Sequence, residues 1–355
     1  MPSRPLPHPR PAWQRWLLLV AVSLALVVVL EAAHLSAALL LGPMVAAIGL
    51  AVTGGAVPVH RVAFAFSQGV VGAMIARSMP ASILGEVVRD APLFVGCVLA
   101  VIVVAVLLGL LLQRWRILPG TTALWGTFPG AASAMALMSA SFGGDMRLVA
   151  FMQYLRVVLV AVAASIVARL WHVSGHGATP MAWLAIGDMR AAALTLAVIA
   201  VSVWAAVRLK VPAGPLLVPL VVCVALQRTG LLQVTLPPLL LAASYAVLGW
   251  SIGLRFTPDV LRNALGALPR VLGAMLALLV LCGGIAWGLV ALAGVSPLTA
   301  YLATSPGGAD SVAIIAASSA QVDVPFVMAM QTARLLVVLI LGPVIARWLG
   351  RRVQT

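Results

Sequence analysis

The sequence predicts an all-α polytopic membrane protein made of two homologous repeats. Three observations predict it: an apolar composition, recurring uncharged runs and an internal duplication. Of the 355 residues, 63% are hydrophobic and 8% are charged, against about 25% charged in soluble domains. Water cannot solvate the surface such a chain would present. Trp16–Leu30, Leu93–Leu112, Val157–Ala168, Ala191–Val207 and Val271–Ala293 are apolar runs; runs of roughly 18 such residues cross a hydrocarbon layer about 30 Å thick. They are apolar on every side, whereas barrel strands alternate, so helices are predicted.

The duplication is carried by polar residues set in apolar sequence. Asp145-x3-Val149-x2-Met152-Gln153-x2-Arg156 repeats as Asp323-x3-Val327-x2-Met330-Gln331-x2-Arg334. Gly42-Pro43 recurs as Gly214-Pro215, Arg77…Pro80 as Arg255…Pro258, and Thr127-Phe-Pro129-Gly130-Ala131 as Thr304-Ser-Pro306-Gly307-Gly308. Agreement of this kind over such distances is the signature of a repeated structural unit.

Each half reads as one series of segments. Residues 1–15, rich in proline, are expected to be a disordered cytoplasmic N-terminus. Residues 16–171 form repeat 1, with segments at about 16–33, 36–53, 62–79, 92–113, 119–142 and 146–171. A linker at 172–188 contains Gly175, Gly177 and Pro180. Residues 189–350 form repeat 2, with segments at about 189–207, 211–228, 236–255, 266–293, 298–320 and 324–349. Glu31 and His34 stand where a signal peptide would carry small cleavage-site residues, so the first helix is expected to remain uncleaved.

The Gly/Ala/Ser-rich segments 119–142 and 298–320 leave two topologies open. If both cross, the protein has 12 spans and parallel repeats. If both are broken or re-entrant, it has about 10 spans and inverted repeats. The distribution of the 22 Lys/Arg residues favours the second, because it gathers more of them on the N-terminal side. That places the chain in a bacterial inner membrane as a multi-pass protein with both termini cytoplasmic.

A formal charge of +14 raises nucleic-acid binding, but the basic residues sit at the ends of apolar runs. That is the pattern of topology signals and lipid contacts, so the partner expected is membrane lipid and not nucleic acid. Cys97, Cys223 and Cys282 lie singly in apolar runs and indicate neither a disulfide framework nor a zinc site. His172-x3-His176 has helical metal spacing, yet Gly175 and Gly177 oppose a helix there. No metal and no cofactor is expected, and no catalytic constellation is visible.

The candidate solute- or ion-binding residues cluster at the two breaks. Pro129 and Gly130 in one half, and Pro306, Gly307 and Gly308 in the other, interrupt apolar segments. A break at membrane depth is tolerated where it is buried or lines a polar cavity, and it exposes a half-helix N-terminus attractive to anions. Ser133 follows the first break; Asp310 and Ser311 follow the second, with Asp310 the best single acid for coupling to H+ or Na+. Arg156 and Arg334 each fall about 16 Å along a helix that starts at Asp145 or Asp323, near mid-bilayer. Such an Arg must face a partner or a wet cavity. Gln153 and Gln331, one turn earlier, share its face. Two readings remain at this stage, a solute ligand and an interior Arg satisfied by carbonyl groups. Asp145 and Asp323 read as helix N-terminal residues.

Pro306-Gly307-Gly308-Ala309-Asp310 followed by Met330-Gln331-x2-Arg334 resembles the AbrB family of bacterial membrane proteins. Gly42-Pro43, Gly214-Pro215, Gly72…Arg77 and Gly249…Arg255 fit the same pattern, and the resemblance covers residues 20 to 350. The sequence departs from it three residues after each Pro-Gly-Gly position, where an acid and Met are usual. Here Ala134-Met135 and Ser311-Val312 stand there. Members carry labels such as regulator of gene expression and ammonia monooxygenase. The first concerns a membrane protein, not the soluble DNA-binding regulator of the same name. The second needs a metal site that five scattered histidines do not supply.

Duplication, paired breaks and buried arginines together predict a secondary transporter, not an enzyme, moving a small anionic or zwitterionic solute by alternating access. The alternative is a membrane-embedded regulatory protein, as the family label suggests. A homodimer is the default oligomer.

Overall fold

The computed structural model describes residues 11–33, 38–78, 91–129, 135, 139, 142–170, 188–211, 214–307, 309–317, 319, 322–334 and 337–338. The linker 172–187, the histidine pair, residues 1–10 and Gly130, Ser133 and Gly308 lie outside them, and of Asp310 and Ser311 only the backbone is described.

The first half contains α1 (Ala12–Ala32), α2 (Ala38–Val52), α3 (Arg61–Ser78), α4 (Ala91–Arg114), the short α5 (Thr122–Thr127) and α6 (Met146–Leu170). The second contains α7 (Met189–Arg208), α8 (Gly214–Arg228), α9 (Pro238–Gly253), α10 (Pro258–Leu265), α11 (Leu268–Ala293), α12 (Pro297–Thr304), α13 (Ala309–Ala317) and α14 (324–334). The protein is an all-α polytopic membrane protein. Among the described residues five helices are long and apolar enough to cross a membrane: Ala12–Ala32, Pro92–Arg114, Met146–Val167, Met189–Arg208 and Leu268–Ala293. Burial is inside-out relative to a soluble protein. Leu24, Val28, Trp204, Val280 and Trp287 face outward, while Gln153, Arg156, Gln331 and Arg334 are buried.

One short helix was not among the predicted segments. Thr257 caps α10 and Pro258 begins it, since proline has no N–H to lose at a first helical position. Asp259 and Arg262 fall on its polar side, as suits a helix lying along the interface.

The two halves interlock. α2 packs on α1 and on α9; correspondingly, α8 packs on α7 and on α3. These contacts are close because glycine permits them. A Cβ on Gly72 would lie 2.3 Å from the Leu216 carbonyl oxygen, and one on Gly249 2.6 Å from that of Leu40. The equivalent helices α3 and α9 touch each other, as do α4 and α11. The pattern is that of a pseudo-two-fold relation between the repeats.

The direction of the α4–α11 pair fixes the repeats' orientation. The last turns of α4, at Leu108 and Leu112, line one groove with the first turns of α11, at Pro269, Arg270 and Gly273. Equivalent helices therefore run antiparallel, so the repeats are inverted.

Both broken segments also return to the side they entered from. The Thr121 hydroxyl donates to the Phe142 carbonyl at 2.9 Å, and the Asp145 amide donates to Thr122 Oγ1 at 2.9 Å. Trp125 stacks on Phe142, with ring centroids 5.5 Å apart. In the second half the Asp323 amide donates to Thr299 Oγ1 at 3.1 Å. Start and end of each segment are hydrogen-bonded neighbours, which a spanning helix does not allow. Among the described residues the ends of each segment thus lie together on one side, as the re-entrant reading expects.

Candidate functional site

Each re-entrant segment begins with a short helix that stops at a proline. The residue before proline is driven out of the helical region. Accordingly Phe128 takes φ −61°, ψ 128° and Ser305 takes φ −59°, ψ 136°, ending α5 and α12. The last carbonyls of these helices then point into the interior with no helical N–H to bond, and an unsatisfied carbonyl there costs roughly 1–3 kcal/mol.

The Gln–Arg pair of the following long helix satisfies them. Gln153 Nε2 donates to Trp125 O at 2.9 Å and to Phe128 O at 3.0 Å, and Arg156 Nη1 donates to Phe128 O at 3.1 Å. In the second half Gln331 Nε2 donates to Leu302 O at 2.7 Å and to Ser305 O at 3.2 Å, and Arg334 Nη1 donates to Ser305 O. Each guanidinium also faces the negative end of a short helix dipole. The sequence pattern -Met-Gln-x2-Arg- is thus a C-terminal cap supplied from another helix. Of the two readings open for Arg156 and Arg334, carbonyl satisfaction describes their contacts. The attraction that the contacts show is that of the short helices' C-termini for guanidinium.

A threonine ties each short helix sideways. Thr127 Oγ1 donates to Ala105 O of α4 at 3.0 Å, and Thr304 Oγ1 donates to Cys282 O of α11 at 3.3 Å. Asp145 and Asp323 are caps: Asp145 Oδ1 accepts from Arg147 N at 2.9 Å and from Leu148 N at 3.1 Å, and Asp323 Oδ1 from Phe326 N at 2.9 Å.

The second break reaches the helix whose Arg156 caps the first. A Cβ on Gly307 would lie 2.8 Å from Val160 Cγ1, so the second break rests on α6 one turn past Arg156. The guanidinium groups of Arg156 and Arg334 lie within electrostatic reach of each other and of Cys282. Among the described residues their hydrogen-bond partners are all uncharged oxygens. Pro129 and Pro306 are buried beside them.

The symmetry is broken in detail. Arg156 Nη2 donates back to Gln153 Oε1 at 2.7 Å, whereas Arg334 Nη2 reaches forward to Gly307 O at 2.8 Å. This leaves Arg156 Nε and Gln331 Oε1 buried without a hydrogen-bond partner, and the Tyr301 hydroxyl is in the same condition. Buried polar groups are normally paired, so each of these orphans marks a place where a ligand can complete the bonding. Tyr301 and Cys282 are residues the sequence pattern did not single out. Their counterparts, Leu124 and Ala105, are apolar, so the repeat gave no signal for them.

Two comparisons with known proteins bear on this arrangement. A family model described as "Transition state regulatory protein AbrB" matches residues 39–350. The chain is also 42% identical over 341 residues, 95% of its own length and 97% of the relative's, to the Escherichia coli (strain K12) protein named "Putative regulator AbrB". The re-entrant breaks, their Gln–Arg caps and the whole of the second half fall inside residues 39–350: the chain belongs to the AbrB family.

Proposed function

We propose that this protein is a secondary transporter that moves a small anionic or zwitterionic solute by alternating access across a bacterial inner membrane. The observation that carries the reading is that the second break rests on the helix whose Arg156 caps the first, beside two buried guanidinium groups with only uncharged partners among the described residues. Inverted repeats with broken segments at mid-membrane are the plan by which one half rocks against the other around a fixed site. Arginine retains its charge in such a site, and a passing anion offsets it. Tyr301 and Gln331 offer one donor and one acceptor with no protein partner, which fits a solute carrying both an anionic group and a hydrogen-bond donor. Asp310, at the start of α13, is the group assigned to H+ or Na+ coupling.

Proteoliposomes test this directly. Purified protein is expected to take up at least one member of a panel of carboxylates and amino acids under a proton or sodium gradient. Tyr301→Phe, which loses no protein hydrogen bond, is expected to raise KM. Absence of flux across the panel, with and without gradients, overturns the reading.

A second reading rests on the relative's printed name: a membrane-embedded regulatory protein that affects gene expression. A deletion strain whose transcriptional change is complemented equally by wild type and by Tyr301→Phe, with no flux by either, favours it.

A further inference from the structure

A second site lies at the edge of the seam between the halves. Where the last turns of α4 approach the first turns of α11, an apolar groove of 390 Å³ runs between them, lined by Leu108, Leu112, Trp115, Arg270, Gly273 and Ala277. The volume falls in the range of small-molecule pockets, about 300–1,000 Å³. Its floor is made of small residues, and a Cβ added at Gly273 would meet nothing within 4 Å. Its rim is different in character. Arg270 stands at the mouth with Trp115, and Arg114 and Arg116 are exposed on either side of that tryptophan. Arg147, at the start of α6, and Arg262, in the last turn of α10, lie on neighbouring elements of the same face, where the described acids are Asp145 and Asp259.

The pseudo-two-fold supplies an internal control. The mate of this groove lies where the end of α11 meets the start of α4. Residues 286–296 and 91–95 there include no charged side chain. Among the described residues, the cationic rim is therefore not repeated at that end.

From the groove and its rim we infer that the α4–α11 seam is a binding site for one anionic phospholipid, its phosphate at Arg270 and one acyl chain along Leu108, Leu112 and Gly273. Basic pockets between membrane helices take anionic headgroups, and tryptophan prefers the headgroup level beside them. The site is independent of the solute reading, because it lies at the membrane surface and not at the breaks.

Native mass spectrometry of the full-length protein, loaded with equal phosphatidylglycerol and phosphatidylcholine of the same chain length, tests it. Phosphatidylglycerol is expected to remain bound in preference. Arg270→Gln is expected to cut that preference about fivefold, the effect of one basic residue near an anionic surface. Gly273→Leu, whose Cβ enters open space, is expected to reduce retention of the lipid while leaving the charge in place. Arg228→Gln, on another helix end, is the control and is expected to change nothing. Equal retention of the two lipids by the wild type, or an equal loss for Arg270→Gln and Arg228→Gln, overturns the site. Displacement by soluble glycerol phosphate alone also overturns it, since that shows a phosphate site without a chain. If Arg270→Gln fails to fold, as its elution profile would show, Gly273→Leu decides the matter, because its Cβ enters open space. Undiminished lipid retention by that variant then overturns the site.

Discussion

Two side chains serve one carbonyl at each break, and this shared duty gives the Gln–Arg pair a measurable signature. Ser305 O accepts from both Gln331 and Arg334. Removing either donor leaves it one bond; removing both leaves it none. A double-mutant cycle with Gln331→Leu and Arg334→Met is therefore expected to be more destabilising than the sum of its parts, by about 1 kcal/mol or more. Unfolding in mixed micelles measures this, and additivity within about 0.5 kcal/mol would contradict the capping role. Tyr301 is expected to behave in the opposite way. Its hydroxyl is buried without a partner, so Tyr301→Phe removes a desolvated group and loses no bond. Its stability in the absence of solute is expected to equal or exceed that of the wild type by up to about 1 kcal/mol. A loss of more than that amount would show that the hydroxyl is engaged. The sequence made the arginines legible because charge is so rare in these segments. It could not say which oxygens they meet, because those are backbone atoms of a segment that carries no distinguishing side chains.

At the scale of elements, glycine decides where helices touch. Gly72 and Gly253 meet backbone carbonyls of Leu216 and Met44, with an added Cβ at 2.3 and 2.4 Å, whereas Gly273 meets nothing within 4 Å. Backbone cannot move aside as a flexible side chain can. Gly72→Ala and Gly253→Ala are expected to cost about 1–3 kcal/mol. Gly273→Ala is expected to be neutral or slightly stabilising, by up to about 1 kcal/mol, from helix propensity. Thermal unfolding of the three variants side by side checks the ordering, and equal melting temperatures would refute it. These contacts also show why helix pairing was not legible. Helices apolar all round carry no distinct face in their sequence, so the exchange of partners, α2 with α9 and α8 with α3, leaves no periodic mark. The breaks were legible, because Pro-Gly interrupts an apolar run. Their re-entrant path was indicated only by charge bias, since the bonds that establish it, Thr121 to Phe142 and Thr299 to Asp323, join residues far apart in sequence.

For the whole molecule, the inverted relation of the halves carries the consequences. Parallel repeats would set the ends of α4 and α11 on one side of the membrane, with Leu112 level with Val290. Inversion sets the end of α4 beside the start of α11, so Leu112 and Gly273 line a common groove. In a background with Cys97, Cys223 and Cys282 replaced by serine or alanine, a short thiol crosslinker is expected to join Leu112→Cys to Gly273→Cys. It is not expected to join Leu112→Cys to Val290→Cys. The reverse outcome would overturn the inverted plan, and with it the approach of the second break to the helix that caps the first, since only inversion brings two segments in from opposite faces. Alternating access makes a further demand on the same pair. If the halves rock about the seam, the yield of the 112–273 crosslink must change when a transported solute is added, because the seam is the contact between moving parts. A constant yield, measured with a solute shown to be carried in proteoliposomes, would place the motion elsewhere than between α4 and α11.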